Sequence, residues 1–304
     1  MIHLLGNRNF IFTLSIVLGL AFPQLAGLTE PLTLPVLALV MMLATLNVPG
    51  NIFRNPRSLI IPSLSGILMS YLVQGGVTLA LSALLIHKEN LRIGFVLIAA
   101  VPPAIAVIPF TGILEGNVLF SLTGTVAAYL AALLIVPAMF SLLLQAGWGE
   151  PLHIIMIMFL LIGFPLIASR IIIRFDFHTR IAAYRGLLID WGFFLVLYTI
   201  IGLNRDLILG APSMIAPVAL IIFAGTFILG FLIEKTGYLL RVDRKTVISL
   251  VLLGTMKNQG IAGGLALSLF SREAALPAAV STIIMILYFI WLDIRRRWKG
   301  IASP

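Results

Sequence analysis

The chain of 304 residues is 61% hydrophobic and only 10% charged, with a formal net charge of +9 and a mean hydropathy of +1.13. Soluble domains average roughly 45–50% apolar and about 25% charged residues, so an ordinary soluble enzyme is excluded. The absence of cysteine excludes a disulfide scaffold and thiol chemistry. The composition predicts an all-α polytopic membrane protein, a class that tolerates the 26 glycines and 16 prolines because neighbouring elements satisfy the backbone.

Apolar runs recur along the whole chain, each close to the roughly 20 residues that cross about 30 Å of hydrocarbon. No stretch remains for a soluble domain. The first run continues through Pro23 without a small-residue cleavage site, so it is interpreted as a span and not as a signal peptide. The ten predicted spans cover about 10–28, 32–49, 58–86, 93–114, 118–146, 152–173, 182–203, 211–238, 246–270 and 275–294.

The distribution of lysine and arginine supports this number of spans. With loops assigned to alternate sides of the membrane, fifteen of the 20 basic residues fall on the side of the N-terminus and four on the other. The positive-inside rule then predicts an inner (plasma) membrane protein with both termini cytoplasmic. Nucleic-acid binding is not expected, because a basic patch alone lacks a reading element. The net charge is mainly a topology signal, although one cluster could also contact anionic lipid: Arg295, Arg296, Arg297 and Lys299.

Ten spans suggest two five-span repeats, 1–149 and 150–304, which must insert with opposite orientation because five is odd. The fourth span of each half supports this symmetry. Pro102 follows Arg92 by ten residues, and Gly254 follows Arg244 by ten. Two helix breakers therefore fall at matching depth in the two halves.

Both of these spans are predicted to be discontinuous. Pro102 and Pro103 remove two backbone donors and clash with the preceding turn. The segment 254–260, Gly-Thr-Met-Lys-Asn-Gln-Gly, places three strongly polar residues between glycines in mid-span. Broken helices at the midplane offer carbonyls to cations and N–H groups to anions, which predicts a binding site. For the proline pair, a simple kink packed by neighbouring helices is the alternative.

Lys257 is the most informative residue of the chain. It lies 12 residues after Lys245 and 15 before Arg272, hence roughly 18–22 Å from either end at about 1.5 Å per residue. A charge at that depth costs on the order of 2.5–3.5 kcal/mol, so it is expected to face a cavity or a partner and to mark function. Pairing with a distant acid for packing alone is the other interpretation. Asn258 and Gln259 are expected either to contact substrate or to form interhelical hydrogen bonds.

Few other polar groups lie within the predicted spans. Gln74 is in the middle of the third span, and Ser121 and Thr125 lie one turn apart on the fifth, so both hydroxyls share a face. Such hydroxyl residues can also serve only close packing. Asp190 lies about five residues from Arg185, which leaves two interpretations: an interfacial pair with a basic residue, or a role in binding protons or substrate.

Short motifs in both halves match one known family. They are Met256-Lys257-Asn258-Gln259-Gly260-Ile261-Ala262 with Leu265-Ala266-Leu267, Val101-Pro102-Pro103, Gly116-Asn117, and Ser121 to Thr125. Through these motifs and the number and order of its spans, the chain resembles the bile acid:sodium symporter superfamily. The resemblance implies a panel of spans 1, 2, 6 and 7 and a core of spans 3–5 and 8–10, with the fourth and ninth helices crossing at unwound centres. It also implies organic-anion substrates, moved by an elevator-like or rocking exchange of access.

The chain departs from this family at its sodium sites. Leu253 and Lys257 stand where sodium-coupled members carry a glutamate and a glutamine, and residues 107–108 are Val-Ile where those members carry Ser-Asn. Gln74, Ser121 and Thr125 do match the family's polar positions. Since a hard cation needs oxygen ligands and is repelled by a fixed positive charge, our hypothesis is that the Lys257 ammonium replaces a bound sodium. It could also bind an anion, or release a proton during the cycle because desolvation disfavours its charged form.

The sequence therefore predicts a secondary active transporter of a small organic anion that works by alternating access and without sodium. No cofactor is expected, the partners are the anion and membrane lipid, and a homo-oligomer is left open. The candidate substrate contacts are Asn47, Pro102, Pro103, Thr111, Asp190, Lys257, Asn258 and Gln259; the residues that correspond to an ion site are Gln74, Ser121, Thr125, Met256 and Lys257.

Three other transport functions remain open. A cation/proton antiporter would use Asp190 and Lys257 as its titrating pair, although a mid-span carboxylate is lacking. An auxin-efflux-type carrier shares the proline-broken crossover, and an ordinary sodium symporter is the third. An intramembrane enzyme is not expected, because the four histidines all lie at or near span ends. Saturable transport with counterflow would distinguish a carrier from a channel.

Overall fold

The computed structural model describes Gly6 and residues 8–46, 56–143, 156–157 and 159–301. Within these ranges the chain forms helices joined by short connections and has no β-strand. Asn47, one of the predicted substrate contacts, lies outside them. In chain order the helices are α1 (Arg8–Ala21), α2 (Pro23–Thr45), α3 (56–85), α4 (Glu89–Ala100), α5 (Val107–Ile113), α6 (Val118–Leu143), α7 (159–174), α8 (Phe177–Leu203), α9 (Arg205–Gly210), α10 (Pro212–Leu239), α11 (Arg244–Leu253), α12 (Gln259–Leu269) and α13 (Arg272–Ile301).

Six helices in the described part of the chain are long and apolar enough to cross a membrane: α2, α3, α6, α8, α10 and α13. Large apolar side chains such as Leu134, Leu142 and Leu239 are exposed on their outer faces. In water such surfaces would drive association, whereas lipid covers them without cost. The all-helical, multi-pass class predicted from composition agrees with this architecture.

The first connection differs from the prediction, which placed it at about 28–32. In the structure α1 ends at Ala21 and α2 begins at Pro23. Proline is well tolerated at the start of a helix, because its missing N–H would have no partner there. Pro31 does not end α2. It lies at the start of the 3₁₀ segment Glu30–Leu32, a tighter turn within α2.

The two interruptions predicted from the sequence are present. Helix α4 ends at Ala100 and α5 begins at Val107, so the proline pair lies between two helices. Helix α11 ends at Leu253 and α12 begins at Gln259. Of the three π-helical stretches in the described residues, Leu68–Gly75 in α3 and Ala224–Ile228 in α10 each precede an interrupted pair, and Phe159–Gly163 begins α7.

The helices form two packed groups. Helices α1 and α2 pack against α8, and α7 packs against α2. In the second group α3 packs against α6, while α13 packs against α4, α10 and α12. The groups meet where α13 lies against α8 and where α12 lies against α2 and α8. Small residues allow α12 to approach α2: a Cβ on Gly260 or Gly264 would lie 3.0 Å or 2.8 Å from a methyl carbon of Leu37. The paired interruptions lie at this junction.

Close packing of α3 on α6 depends on Gly66. A Cβ built there would collide with the main chain of Gly124, which cannot yield as a side chain could. We expect Gly66→Ala to destabilise the protein by about 1–3 kcal/mol. The matched control is Gly76→Ala in the same helix, where nothing lies within 4 Å of the added carbon. Thermal unfolding in detergent measures both, and equal melting temperatures would contradict the assignment.

Candidate functional site

The interruption after α4 frees main-chain acceptors inside the protein. In a continuous helix the carbonyls of Ile98 and Ala99 would accept from residues 102 and 103, but Pro102 and Pro103 have no N–H. The carbonyl of Val101 lies just beyond the helix end. These oxygens lie at the C-terminus of α4, where the helix dipole is negative, and all five residues are buried. The position therefore favours a cationic donor.

The side chain of Lys257 supplies that donor. Its Nζ donates to the carbonyl oxygens of Ala99 and Val101, both at 2.8 Å, and to Ser70 Oγ at 3.0 Å. Nζ also lies 4.7 Å from the ring centroid of Tyr71, a cation–π contact. Lys257 is only 1% exposed. All three donors of an ammonium are thus used, and no ion pair of Lys257 with a carboxylate occurs in the described ranges.

Main-chain hydrogen bonds hold the two interruptions side by side. Ala104 N–H donates to the Met256 carbonyl at 2.8 Å, and Asn258 N–H donates to the Pro102 carbonyl at 3.0 Å. Pro103 and Lys257 face each other between these bonds as an antiparallel bridge. These two hydrogen bonds place the main chain of Lys257 beside the end of α4, so the side chain lies close to its acceptors.

Asn258 is the N-cap of α12. Its Oδ1 accepts from the N–H of Ile261 at 3.1 Å, and its Nδ2 donates to the hydroxyl of Tyr129 on α6 at 2.8 Å. Tyr129 was not predicted as a site residue. A signal for it exists in the sequence, because Ser121, Thr125 and Tyr129 recur every four residues and therefore share one face of α6.

A small cavity of about 20 Å³ lies beside Tyr129, between the two helix groups. Thr125 lines it, and the Oγ1 atom of Thr125 is buried with no hydrogen-bond partner in the described structure. The remaining walls are mostly apolar and come from both groups, including Met41 of α2, Ile105 between α4 and α5, and Leu166 of α7. The cavity has room for about one water molecule.

The residues that correspond to an ion site are not arranged as a cation cage. Ser121 and Thr111 form a hydroxyl–hydroxyl hydrogen bond of 2.7 Å. Met256 lies in an apolar cluster that also contains Val107 and Leu253. Gln74 lines a separate cavity of about 10 Å³, where its Oε1 has no partner among the described residues. Gln74 and Thr125 therefore face different cavities.

The other predicted contacts have varied surroundings. Thr111 is fully buried and also donates to the Val107 carbonyl at 2.7 Å. Pro102 and Pro103 contribute main-chain atoms to the antiparallel bridge between the two interruptions. Gln259 is buried in the first turn of α12, and its Oε1 has no partner in the described ranges.

Asp190 is ion-paired with Arg8 of α1. Arg8 Nε and Asp190 Oδ1 are 2.6 Å apart, and the aspartate side chain is only 8% exposed. The Arg8 guanidinium also lies 6.0 Å from the ring centroid of Phe110. Of the two interpretations of Asp190, the geometry favours pairing with a basic residue.

We expect Asp190→Asn to lower stability by about 1–3 kcal/mol, because it leaves the half-buried Arg8 without its charge partner, and to leave transport per folded molecule unchanged. The control is Asp206→Asn, whose side chain is 93% exposed and pairs with the adjacent Arg205. Melting temperature and transport in proteoliposomes measure the two effects. Lost transport at unchanged stability would instead assign Asp190 to protons or substrate.

The sequence matches no known protein-family model. It is 24% identical over 276 residues to the "Uncharacterized sodium-dependent transporter YocS" of Bacillus subtilis (strain 168), a match that covers 88% of this chain and 83% of the relative. That name describes a sodium-dependent transporter. Together with the membrane-length apolar helices, similarity over most of both chains supports the class of multi-pass membrane transporters.

Proposed function

We propose that this chain is a secondary active transporter of a small organic anion, in which the Lys257 side chain takes the place of a sodium ion. One observation carries the proposal: Nζ is held by three oxygen atoms, two of them carbonyls of the interrupted helix, and none of its partners among the described residues is a carboxylate. A bound cation would satisfy the same oxygens. The lysine is therefore a tethered cation that joins α3, the end of α4 and the interruption before α12.

The positive charge of Lys257 and the lack of oxygen ligands at Leu253 and Val107 support sodium-independent transport. A second unit charge about 4 Å from the ammonium would be repelled by about 4 kcal/mol at an effective dielectric constant of 20. Leu253 and Val107 are buried apolar side chains that offer no oxygen ligand. The sodium dependence in the name of the Bacillus subtilis relative belongs to that protein. In this chain the departures at positions 253 and 257 argue against it.

The proposed architecture is two inverted five-span repeats, 1–149 and 150–304. It counts α4–α5 and α11–α12 each as one interrupted span, and α1 and α7 as spans. The π-helical stretches that precede both interrupted pairs support the symmetry. Helices α1, α2, α7 and α8 would form the panel, and the other group would form the core. Within the core the two interrupted spans would cross at their interruptions. Both termini would be cytoplasmic.

The proposed anion site lies between panel and core, at the cavity beside Tyr129. The N-terminus of α12, capped by Asn258, supplies the positive end of a helix dipole. The hydroxyls of Thr125 and Tyr129 are donors for a carboxylate. Met41 and Leu166 suit a small aliphatic body. Since the cavity is now closed to about 20 Å³, binding requires the panel and core to separate, as alternating access demands.

The test is thermal stability of the purified protein with a panel of organic anions, each with sodium or choline as the only added cation. A ligand of the native state raises stability with the logarithm of its concentration. We expect one class of anion to stabilise the protein equally in both salts. Stabilisation by sodium alone, or by an anion only with sodium, would identify an ordinary sodium symporter.

Two related functions make different predictions in the same assays. A cation/proton antiporter with Asp190 and Lys257 as its titrating pair is disfavoured, because Arg8 already pairs with Asp190. Proton release from Lys257 would make anion uptake follow an imposed pH gradient in proteoliposomes. If the protein is an auxin-efflux-type carrier, aromatic carboxylates should stabilise it more than the other anions tested.

A further inference from the structure

A groove of about 80 Å³ runs along α11 where this helix meets α10 and α13, with its polar rim at the end of α11 that lies away from the paired interruptions. We propose that it binds one anionic phospholipid, with the phosphate at an arginine rim and an acyl chain on the apolar floor. The floor residues used in the argument are Leu114, Ile248, Val251 and Leu292, and the polar rim consists of Glu234, Tyr238, Arg244, Arg295 and Arg296.

Of the three rim arginines, two are engaged by carboxylates and Arg244 has no carboxylate partner among the described residues. Arg295 is engaged by Glu234 through two hydrogen bonds. Arg296 donates to Glu115 at 2.7 Å and to Asp293 at 3.5 Å, whereas its Nε is buried and has no acceptor in the described structure. Arg244 is exposed and makes no side-chain hydrogen bond or ion pair within the described ranges. A phosphate at the rim would give Arg244 the acceptor that it lacks.

The start of α11 adds to this preference. Arg244 is the first residue of this ten-residue helix, so an anion beside it lies at the positive end of the helix dipole. Asp243 caps the N–H of Thr246 at 3.0 Å and so fixes where the helix begins. The guanidinium and the helix end therefore act on the same side of the groove.

The apolar floor distinguishes a lipid from a free phosphate. A phosphate ion would occupy the rim and leave Val251 and Leu292 uncovered, whereas an amphiphile covers rim and floor together. Exposed Leu239 and Leu240 follow Tyr238 at the end of α10, which places membrane-type surface next to the groove. Arginines at the basic end of a membrane protein are also where the phosphates of anionic lipids lie.

The test compares purified full-length protein in neutral detergent with added phosphatidylglycerol, phosphatidylcholine or inorganic phosphate. We expect phosphatidylglycerol to raise the melting temperature most. Arg244→Gln should weaken its apparent affinity roughly five-fold, since one basic contact at a lipid surface is worth about 1 kcal/mol. The control is Arg92→Gln, an exposed arginine in the first turn of α4 whose side chain makes no hydrogen bond or ion pair in the described ranges; it should bind like the wild type.

Three results would overturn the proposal. Equal stabilisation by phosphatidylcholine would mean that no headgroup is recognised. Equal stabilisation by inorganic phosphate would mean an anion site without an acyl chain. Equal loss in Arg244→Gln and Arg92→Gln would mean a general charge effect. Because none of these variants touches Lys257 or its acceptors, the outcome is independent of the proposed transport mechanism.

Discussion

Lys257→Met is expected to abolish anion transport. Methionine cannot donate a hydrogen bond, so the carbonyls of Ala99 and Val101 and the hydroxyl of Ser70 lose the donor that they share. Each buried acceptor left without a partner costs about 1–3 kcal/mol, and the helix interruptions lose their tethered cation. Uptake in proteoliposomes, normalised to monodisperse protein, measures the loss. Lys245→Met, at an exposed lysine of α11, is the matched control and should transport normally; unimpaired uptake by Lys257→Met would refute the assignment.

A double substitution tests whether the Lys257 side chain stands in for a sodium ion. Leu253→Glu combined with Lys257→Gln restores the residue types that sodium-coupled relatives are expected to carry at the second interruption. We expect sodium to stabilise this double variant and to leave the wild type unaffected, because an anionic ligand is gained and the fixed positive charge is removed. If the folded double variant ignores sodium, the lysine does not stand in for a bound ion.

Asn258→Ala is expected to reduce transport at least roughly 100-fold, the scale of effect that follows when a residue that positions substrate is displaced. The variant removes the N-cap of α12 and the hydrogen bond to Tyr129 together. Loss of the cap alone costs about 1 kcal/mol. The effect on transport should therefore exceed the effect on stability.

Asp243→Ala isolates the capping contribution. Asp243 caps α11 through the N–H of Thr246 at 3.0 Å, which is close to the 3.1 Å of the Asn258 cap, but it lies at the exposed end of the helix. We expect a similar fall in melting temperature and nearly normal uptake. If both variants lose transport in proportion to stability, Asn258 serves only as a helix cap.

Local chemistry allowed several features to be predicted from the sequence alone. Pro102 and Pro103 both lack an N–H, and the loss of two successive donors disfavours a continuous helix more than the single prolines that lie inside other helices, such as Pro137 and Pro277. The depth of Lys257 followed from counting residues to Lys245 and Arg272, and the long apolar runs gave the helical, multi-pass class. Each inference depends on neighbours in sequence, or on the thickness of the bilayer, and so needs no knowledge of tertiary contacts.

The partners of these residues could not be read from the sequence. Lys257 meets its acceptors across 156 to 187 residues, Asp190 meets Arg8 across 182, and Asn258 meets Tyr129 across 129. The tertiary structure also placed Gln74 and Thr125 in different cavities. The sequence by itself indicated where two helices are interrupted and where a charge is buried, because backbone chemistry and hydropathy are local. Only the packing of distant helices decided which oxygen atoms surround that charge, since those contacts depend on how the two helix groups meet.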